Sequence, residues 1–383
     1  MLGFRGRPKD ITGSVQGEPG RKSRAWQALS GFWAFVLITL GAGAGTLHVL
    51  GPPAQAKLHT AIHPPAAPAL ADPPTTATPP AGPVKAEPAL APRGIAAITP
   101  RPPNAAIPPP DDDLLIALEP GSAKRLPRIA ADGRIPLHAY AAGWDPSDER
   151  KKIAVLVADI GLSIQLSADA TDRLPAAMSF AISPYAVQNQ ALLARIRAAG
   201  HETLVSLPME PAIFGLADAG PRALLTSGSR DSNTIHLNWA LSRFAGYVGV
   251  TGALGPLRGE RFAASTQMGD VLATLAGAGL LYIDPRIGIA KADPAAETAL
   301  AQRNVDLVLD SNGADAREID QRLIQLEGIA RRDGAALGLA GAATPVMIER
   351  LATWATRLAA TDLVLVPVSA MTLPRRGAVV ATK

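Results

Sequence analysis

The chain has 383 residues, a net charge of +4 and no cysteine. The last point excludes disulfides, thiolate metal ligands and thiol nucleophiles. The whole net charge sits in residues 1–25, where Arg5, Arg7, Lys9, Arg21, Lys22 and Arg24 outweigh Asp10 and Glu18. The remainder is neutral and lacks the basic surface that a nucleic-acid partner requires.

Residues 1–24 read as a basic cytoplasmic tail. Residues 25–51 contain no Asp, Glu, Lys or Arg and include WAFVLITL. As a helix rising about 1.5 Å per residue they span about 39 Å, enough to cross a hydrocarbon core of roughly 30 Å. Basic residues before this segment, and almost none after it, predict a single-pass inner-membrane anchor with the rest of the chain in the periplasm. The alternative is secretion after cleavage near Ala56, because Ala54-Gln55-Ala56 has the small-residue pattern of a cleavage site. Residues 52–113 hold 18 of the 35 prolines and little bulky apolar surface, which predicts a disordered Ala/Pro-rich tether. Extended at about 3.1 Å per residue, it could reach roughly 200 Å.

Residues 114–150, with LLIALEP and GRIPLHAYA, read as a lead-in that packs on the domain; residues 151–376 form the domain and 377–383 a tail. Short apolar runs predict strands at 153–161, 177–184, 201–209, 247–252, 280–288, 306–310, 335–341 and 363–369. Amphipathic stretches predict helices at 163–174, 188–200, 232–244, 268–279, 316–334 and 345–359. Such alternation implies an α/β fold of parallel strands covered by helices, open or closed into a barrel. No Gly-x-Gly-x-x-Gly follows the first strand, so nothing supports a dinucleotide fold. In either architecture functional groups gather at the C-terminal strand ends. Asp159, Glu210 and Asp284 all fall there.

The runs VADIG at 157–161, AAGHETLVSLPMEP at 198–211, WALSRFAGYVGVTG at 239–252, YIDPR at 282–286 and LVPVS at 365–369 follow in a set order. In these runs, over about residues 135–372, the chain closely resembles the divergent polysaccharide deacetylases, exported relatives of the carbohydrate esterases that deacetylate amino sugars. The resemblance implies a deformed (β/α) barrel, seven-stranded, with a glycan groove across the C-terminal strand ends. It also implies a zinc-type divalent metal held by one Asp and two His, with a second Asp as general base on the bound water. A further histidine would protonate the leaving amine.

This chain departs from that pattern repeatedly. Where the family's first strand ends in two aspartates, Ala158 occupies the general-base position and Asp159 the metal-ligand position. Ser206 replaces the histidine before Leu-Pro-Met, Thr251–Gly255 replaces an Asn-His-Met-Gly run, and Gly341-Ala342-Ala343 replaces Gly-His-Pro. Of six histidines, His48, His59 and His63 lie in the anchor or tether. His138 is in the lead-in, His201 opens a strand and His236 lies within a helix. No catalytic residue is assigned. Groove candidates are Asp159, Ser206, Glu210, Asp284 and Arg286, with Asp159 a metal ligand only where a metal binds. No cofactor is expected; the alternative is a hard divalent cation on Asp159, Glu210 and Asp284.

Each candidate has a plainer reading. Asp159 could bond the loop amides after it, Glu210 could fix the turn between its two prolines, and Asp284 and Arg286 could simply pair. Tyr185, Phe214 and Trp239 could stack on sugar rings or belong to the core. Ser206 has no nucleophile elbow. Asp306 and Asp310 alternate with apolar residues and are expected on a solvated face or edge. The sequence thus predicts a membrane-anchored periplasmic domain of deacetylase shape, catalytically degenerate, with an envelope glycan or envelope protein as partner. The alternatives are an active metal-dependent deacetylase with a rearranged site and a structural spacer of the envelope.

Overall fold

Regular alternation of strand and helix from Lys151 onward produces the parallel sheet that the sequence predicts. The computed structural model describes residues 101–187, 190–213, 218–288, 300–311 and 315–372, all within one unit, Glu87–Lys383. The predicted tail, the anchor at 25–51, the tether up to residue 100 and Phe214 lie outside the described residues. Among those described, no helix is long and apolar enough to cross a membrane.

A small antiparallel ribbon of β1 (Leu115–Ala117) and β2 (Arg125–Pro127) comes first, then a short helix α1 (Pro136–Ala139). The main sheet contains β3 (Lys151–Ile160), β4 (Ser179–Ile182), β5 (Thr203–Ser206), β6 (Gly249–Thr251), β7 (Leu281–Asp284), β8 (Ala301–Asn304), β9 (Leu307–Val308), β10 (Ala335–Ala340) and β11 (Leu363–Leu365). Its path is β8-β7-β6-β5-β4-β3-β10-β9, with β11 beside the first residues of β3. The two ends of that path, β8 and β9, are separated in the chain only by Val305 and Asp306. The Val305 amide donates to the Asp284 carbonyl (2.8 Å) and the Asp306 amide to the Leu337 carbonyl (2.9 Å). One stretch of chain therefore leaves one edge and joins the other, and the sheet curls into a deformed barrel. With β8 and β9 taken as one broken stave, seven staves run round the ring.

Covering helices are α2 (Ile164–Arg173), α3 (Gln190–Ala198), α4 (Arg230–Leu241), α5 (Glu260–Ala263), α6 (Met268–Gly277), α7 (Ala316–Asp333) and α8 (Pro345–Leu358). Side chains of Ser163, Ser229, Asp315 and Thr344 cap α2, α4, α7 and α8. A last helix, α9 (Val368–Thr372), replaces the end of the strand predicted for 363–369. Pro367 has no amide to extend the ladder, so the strand stops before it. β8 escapes the sequence because Ala-Gln-Arg-Asn has no apolar run.

The strands read as continuous apolar runs because both of their faces are covered. Alternate residues Ile153, Val155, Val157, Phe180, Val205 and Val250 pack under the helices. Ala154, Leu156, Ala158, Ala181, Leu204, Leu281, Ile283, Leu337 and Leu339 fill the inside of the barrel. The lead-in plugs its base with Leu137, Tyr140 and Ala142. Order also begins earlier than the proline content predicts, since residues 101–113 lie along the domain. The Ile107 amide donates to the Arg197 carbonyl (2.8 Å) and Ile107 is buried, while the Asp111 amide donates to the Tyr140 hydroxyl (2.8 Å). A proline-rich strand loses little freedom on ordering, so a few anchors of this kind suffice to dock it.

A buried carboxylate ties the base together. One oxygen of Glu202 accepts from the Ser179 hydroxyl (2.8 Å) and the Ser369 amide (3.0 Å). The other accepts from the Ala142 amide (3.0 Å) and the Ser369 hydroxyl (2.6 Å). Burial pushes the Glu202 carboxyl above its ordinary range, and the four donors offset this only in part. Lead-in, β4 and α9 thus meet on one side chain. Each oxygen faces a backbone amide that cannot turn away, so the NH2 of a glutamine must oppose one of them. Glu202→Gln is expected to lower stability by about 1–3 kcal/mol, measured as the urea midpoint; an unchanged midpoint would contradict this role.

Candidate functional site

The site is built on an irregularity at the end of β3. Val157 stands opposite Phe180, but Ile160 stands opposite Ile182, so three steps on β3 match two on β4. This is a β-bulge. Asp159 adopts the left-handed conformation, φ +59°, which costs a non-glycine residue about 1 kcal/mol or more and is easiest for Asp and Asn. Val157 and Ile160 both pack under the helices. The bulge therefore turns Ala158 and Asp159 together toward the barrel's inside and mouth, and Ala158 joins the inner apolar cluster.

A loop closes over this point. Leu254 and Leu257 exchange amide–carbonyl bonds of 3.0 and 2.9 Å around Gly255-Pro256. Gly255, at φ +55°, lies against the Asp159 carboxylate, and its amide lowers that group's pKa. A Cβ on Gly255 would come within 2.9 Å of that carboxylate, and one on Gly341 within 2.7 Å of the Gly255 carbonyl. The loops after β6 and β10 can touch only because both residues lack side chains. Asp310 sits at the same junction, its oxygens accepting from the Gly341 and Ala342 amides at 2.9 and 3.1 Å. Burial pushes the Asp159 carboxyl up to about 6; the Gly255 amide draws it down and the negative Asp310 raises it further.

The remaining candidates share the mouth but not a centre. Glu210 is buried and accepts from the Thr226 amide and hydroxyl, both at 2.6 Å, with Arg261 3.1 Å away. Burial raises its pKa, yet these partners outweigh burial and hold it below the usual value. Asp284 shares the outward side of β7 with Tyr282 and is clasped by Arg286 through bonds of 3.0, 3.2 and 2.6 Å. Ser206 faces inward, fully buried, and its hydroxyl has no partner among the described residues.

This donor set does not fit the metal that the resemblance implies. Among the described residues, no three of His, Cys, Asp and Glu converge so as to hold an ion. His201 lies at the base, stacked on Phe180 at 4.2 Å, its nitrogens facing the Met178 and Thr171 carbonyls. His236 faces the Ala223 carbonyl and His138 is half-buried in α1. Of the positions where the resemblance places base and metal-binding groups, only Asp159 keeps one; Ala158, Ser206 and Ala253 of the Thr251–Gly255 run are fully buried, and Ala342 lies in the Gly341–Ala343 run. Ala158 and Ala253 belong to one apolar cluster.

One expectation needs correction, and the plainer reading of Trp239 holds, since it packs against the core. Asp306 and Asp310 do not lie on a solvated edge, because closure of the barrel turns that side of β9 inward. Asp306 pairs with Arg303 at 2.6 Å and accepts from the Leu337 amide (2.8 Å). Asp310 was thereby missed as a site residue; the same strand-end placement that singled out Asp159 could have found it. Tyr185 and Trp239 occupy one another, at 5.2 Å between rings, and Arg243 lies over Trp239 at 5.5 Å. The Tyr185 hydroxyl donates to the Ala219 carbonyl (2.9 Å). These rings brace loops.

A model of divergent polysaccharide deacetylases matches residues 155–372, more than half of the chain, and the protein belongs to that family. Membership points to a carbohydrate-related function. Among solved structures the chain is similar to an uncharacterized protein from Agrobacterium tumefaciens, with 27% identity and a TM-score of 0.58 over 65% of this chain and 99% of that one. A candidate polysaccharide deacetylase from Mycobacterium smegmatis gives 12% identity and a TM-score of 0.41 over 61% of this chain and 92% of that one. The chain matches no curated protein.

The glycine contact yields a direct test. Gly341→Ala is expected to force the two mouth loops apart and lower stability by about 1–3 kcal/mol. Gly269→Ala, at a helical position with open space around it, should leave the urea midpoint unchanged or raise it slightly. Equal effects from the two would show that the loop contact is unimportant.

Proposed function

We propose that this domain recognises envelope glycan without hydrolysing it, presented in the periplasm by the anchor at 25–51 and the Ala/Pro tether. The observation that carries this reading is the fate of the catalytic positions. Ala158, Ser206 and Ala253 offer neither a base nor a strong ligand; all three are buried, Ala158 and Ala253 within one apolar cluster. General-base catalysis needs a group within hydrogen-bond reach of the attacking water, and a buried methyl group supplies none. The mouth keeps what recognition needs, a cleft with polar groups beside Asp310. An envelope protein as partner, or a spacer role, would leave that cleft without use.

An active enzyme with a rearranged site has one observation in its favour, the Asp159 carboxyl raised to about 6 beside Asp310. Metal analysis of the purified chain, combined with acetate release from N-acetylated chito-oligosaccharides, separates the two readings. The expected result is less than one metal ion per chain after dialysis and no acetate release, with wild type and Asp159→Ala alike. One tightly held ion per chain, with acetate release abolished by Asp159→Ala, would overturn the proposal.

A further inference from the structure

A cleft of about 680 Å³ opens between the loop after β6, the end of β9 and the first turn of α8. Its size falls within the roughly 300–1,000 Å³ of small-molecule sites. Pro256, Ile319, Val346 and Met347 give it an apolar wall. Its polar groups are unequal in what they have left to offer. Asp310 accepts one bond on each oxygen, from the Gly341 and Ala342 amides, and keeps its negative charge in the wall. The Thr344 hydroxyl oxygen accepts from the Met347 amide (3.2 Å) as the cap of α8, which leaves its O–H to donate.

Arg258 stands apart from the other arginines of the mouth. Arg261, Arg286 and Arg303 each lie within 3.1, 2.6 and 2.6 Å of a carboxylate. The ion-pair contact of Arg258 is Glu260 at 3.7 Å, beyond hydrogen-bond range. Its side chain is 24% exposed and lines the cleft. The cleft therefore presents one loosely paired guanidinium, with Ser311, Thr344 and the Asp310 carboxylate also in its wall, and the guanidinium calls for an anionic acceptor.

We infer that this cleft takes an acidic saccharide with one carboxylate on each sugar unit, a uronate or a carboxyalkyl sugar, with Arg258 as the contact for one such anion. The inference rests on the glycan-recognition reading and names its ligand class. A planar carboxylate matches the two-pronged guanidinium. With Asp310 in the same wall and Glu260 beside the guanidinium, a dianionic phosphate meets repulsion that a monoanion meets at half strength. The apolar wall suits the C–H face of a pyranose, which a small free acid would leave uncovered.

Calorimetric titration of the full chain in detergent with trigalacturonate, chitotriose and acetate provides the test. Trigalacturonate is expected to bind, more weakly as salt rises, with chitotriose and acetate at least tenfold weaker. Arg258→Ala should weaken trigalacturonate about tenfold or more, and Arg258→Lys should recover part of the loss. Val346→Trp fills the cleft from the first turn of α8 and should also weaken binding, which keeps the test open should the arginine variant fail to fold. Chitotriose binding as tightly as trigalacturonate and indifferent to Arg258→Ala would overturn the carboxylate assignment while leaving glycan recognition standing. Tight binding of acetate would overturn the saccharide. Absence of binding by either oligosaccharide would overturn both.

Discussion

A parallel sheet whose last stave returns to its first encloses an inside that water does not fill. That constraint governs the rest of this structure. Inward positions become alanine and leucine, from Ala154 and Leu156 on β3 to Leu337 and Leu339 on β10. Any polar group sent inward must meet a partner, because an unmet buried donor or acceptor costs about 1–3 kcal/mol. Glu202 meets four donors, Thr251 accepts from the Ala253 amide (3.2 Å), and Asp306 meets Arg303 and the Leu337 amide. Ser206 is the exception, its hydroxyl without a partner among the described residues. It stands where the resemblance places a histidine. A large imidazole buried there would need a partner that the apolar interior around it does not supply, and a small hydroxyl is the milder fault.

The bulge on β3 is what brings chemistry-bearing positions to the mouth at all. Strict alternation would send Ala158 inward and Asp159 outward under the helices. One extra residue and one left-handed backbone place both on the open side. The loop after β6 then lies against Asp159 and leaves it only partly exposed, and that burial raises its pKa. On the proposed reading, recognition falls to the neighbouring cleft, where Arg258 is loosely paired.

Much of this was legible from the chain. The apolar runs and the capped amphipathic stretches locate most of the strands and the longer helices, because local patterning and global packing agree there. Asp159 was singled out by its place at a strand end. What stayed hidden depended on closure. The alternation of Asp306, Val308 and Asp310 looks like a half-solvated strand until the sheet's two edges prove to be one piece of chain. Ala-Gln-Arg-Asn carries no strand signal, and its pairing comes entirely from its neighbours. Residues 101–113 read as tether because composition cannot reveal a groove that accepts them.

The survivors of the family pattern follow a rule of backbone demand. Asp159 sits at a positive φ that few side chains tolerate, and its carboxylate lies against Gly255. Gly255 has a positive φ of its own, and Gly341 touches the Gly255 carbonyl where no Cβ fits. Each of these is required by the path of the chain whether or not a metal is present. Ala158, Ser206, Ala253 and Ala342 are under no such requirement: where the resemblance places base and ligands, any small side chain satisfies the packing. The pieces that remain are those the fold needs, and the pieces that are gone are those only an ion would need. Persistence of Asp159 is therefore weak evidence for a metal centre, since the bulge alone accounts for it.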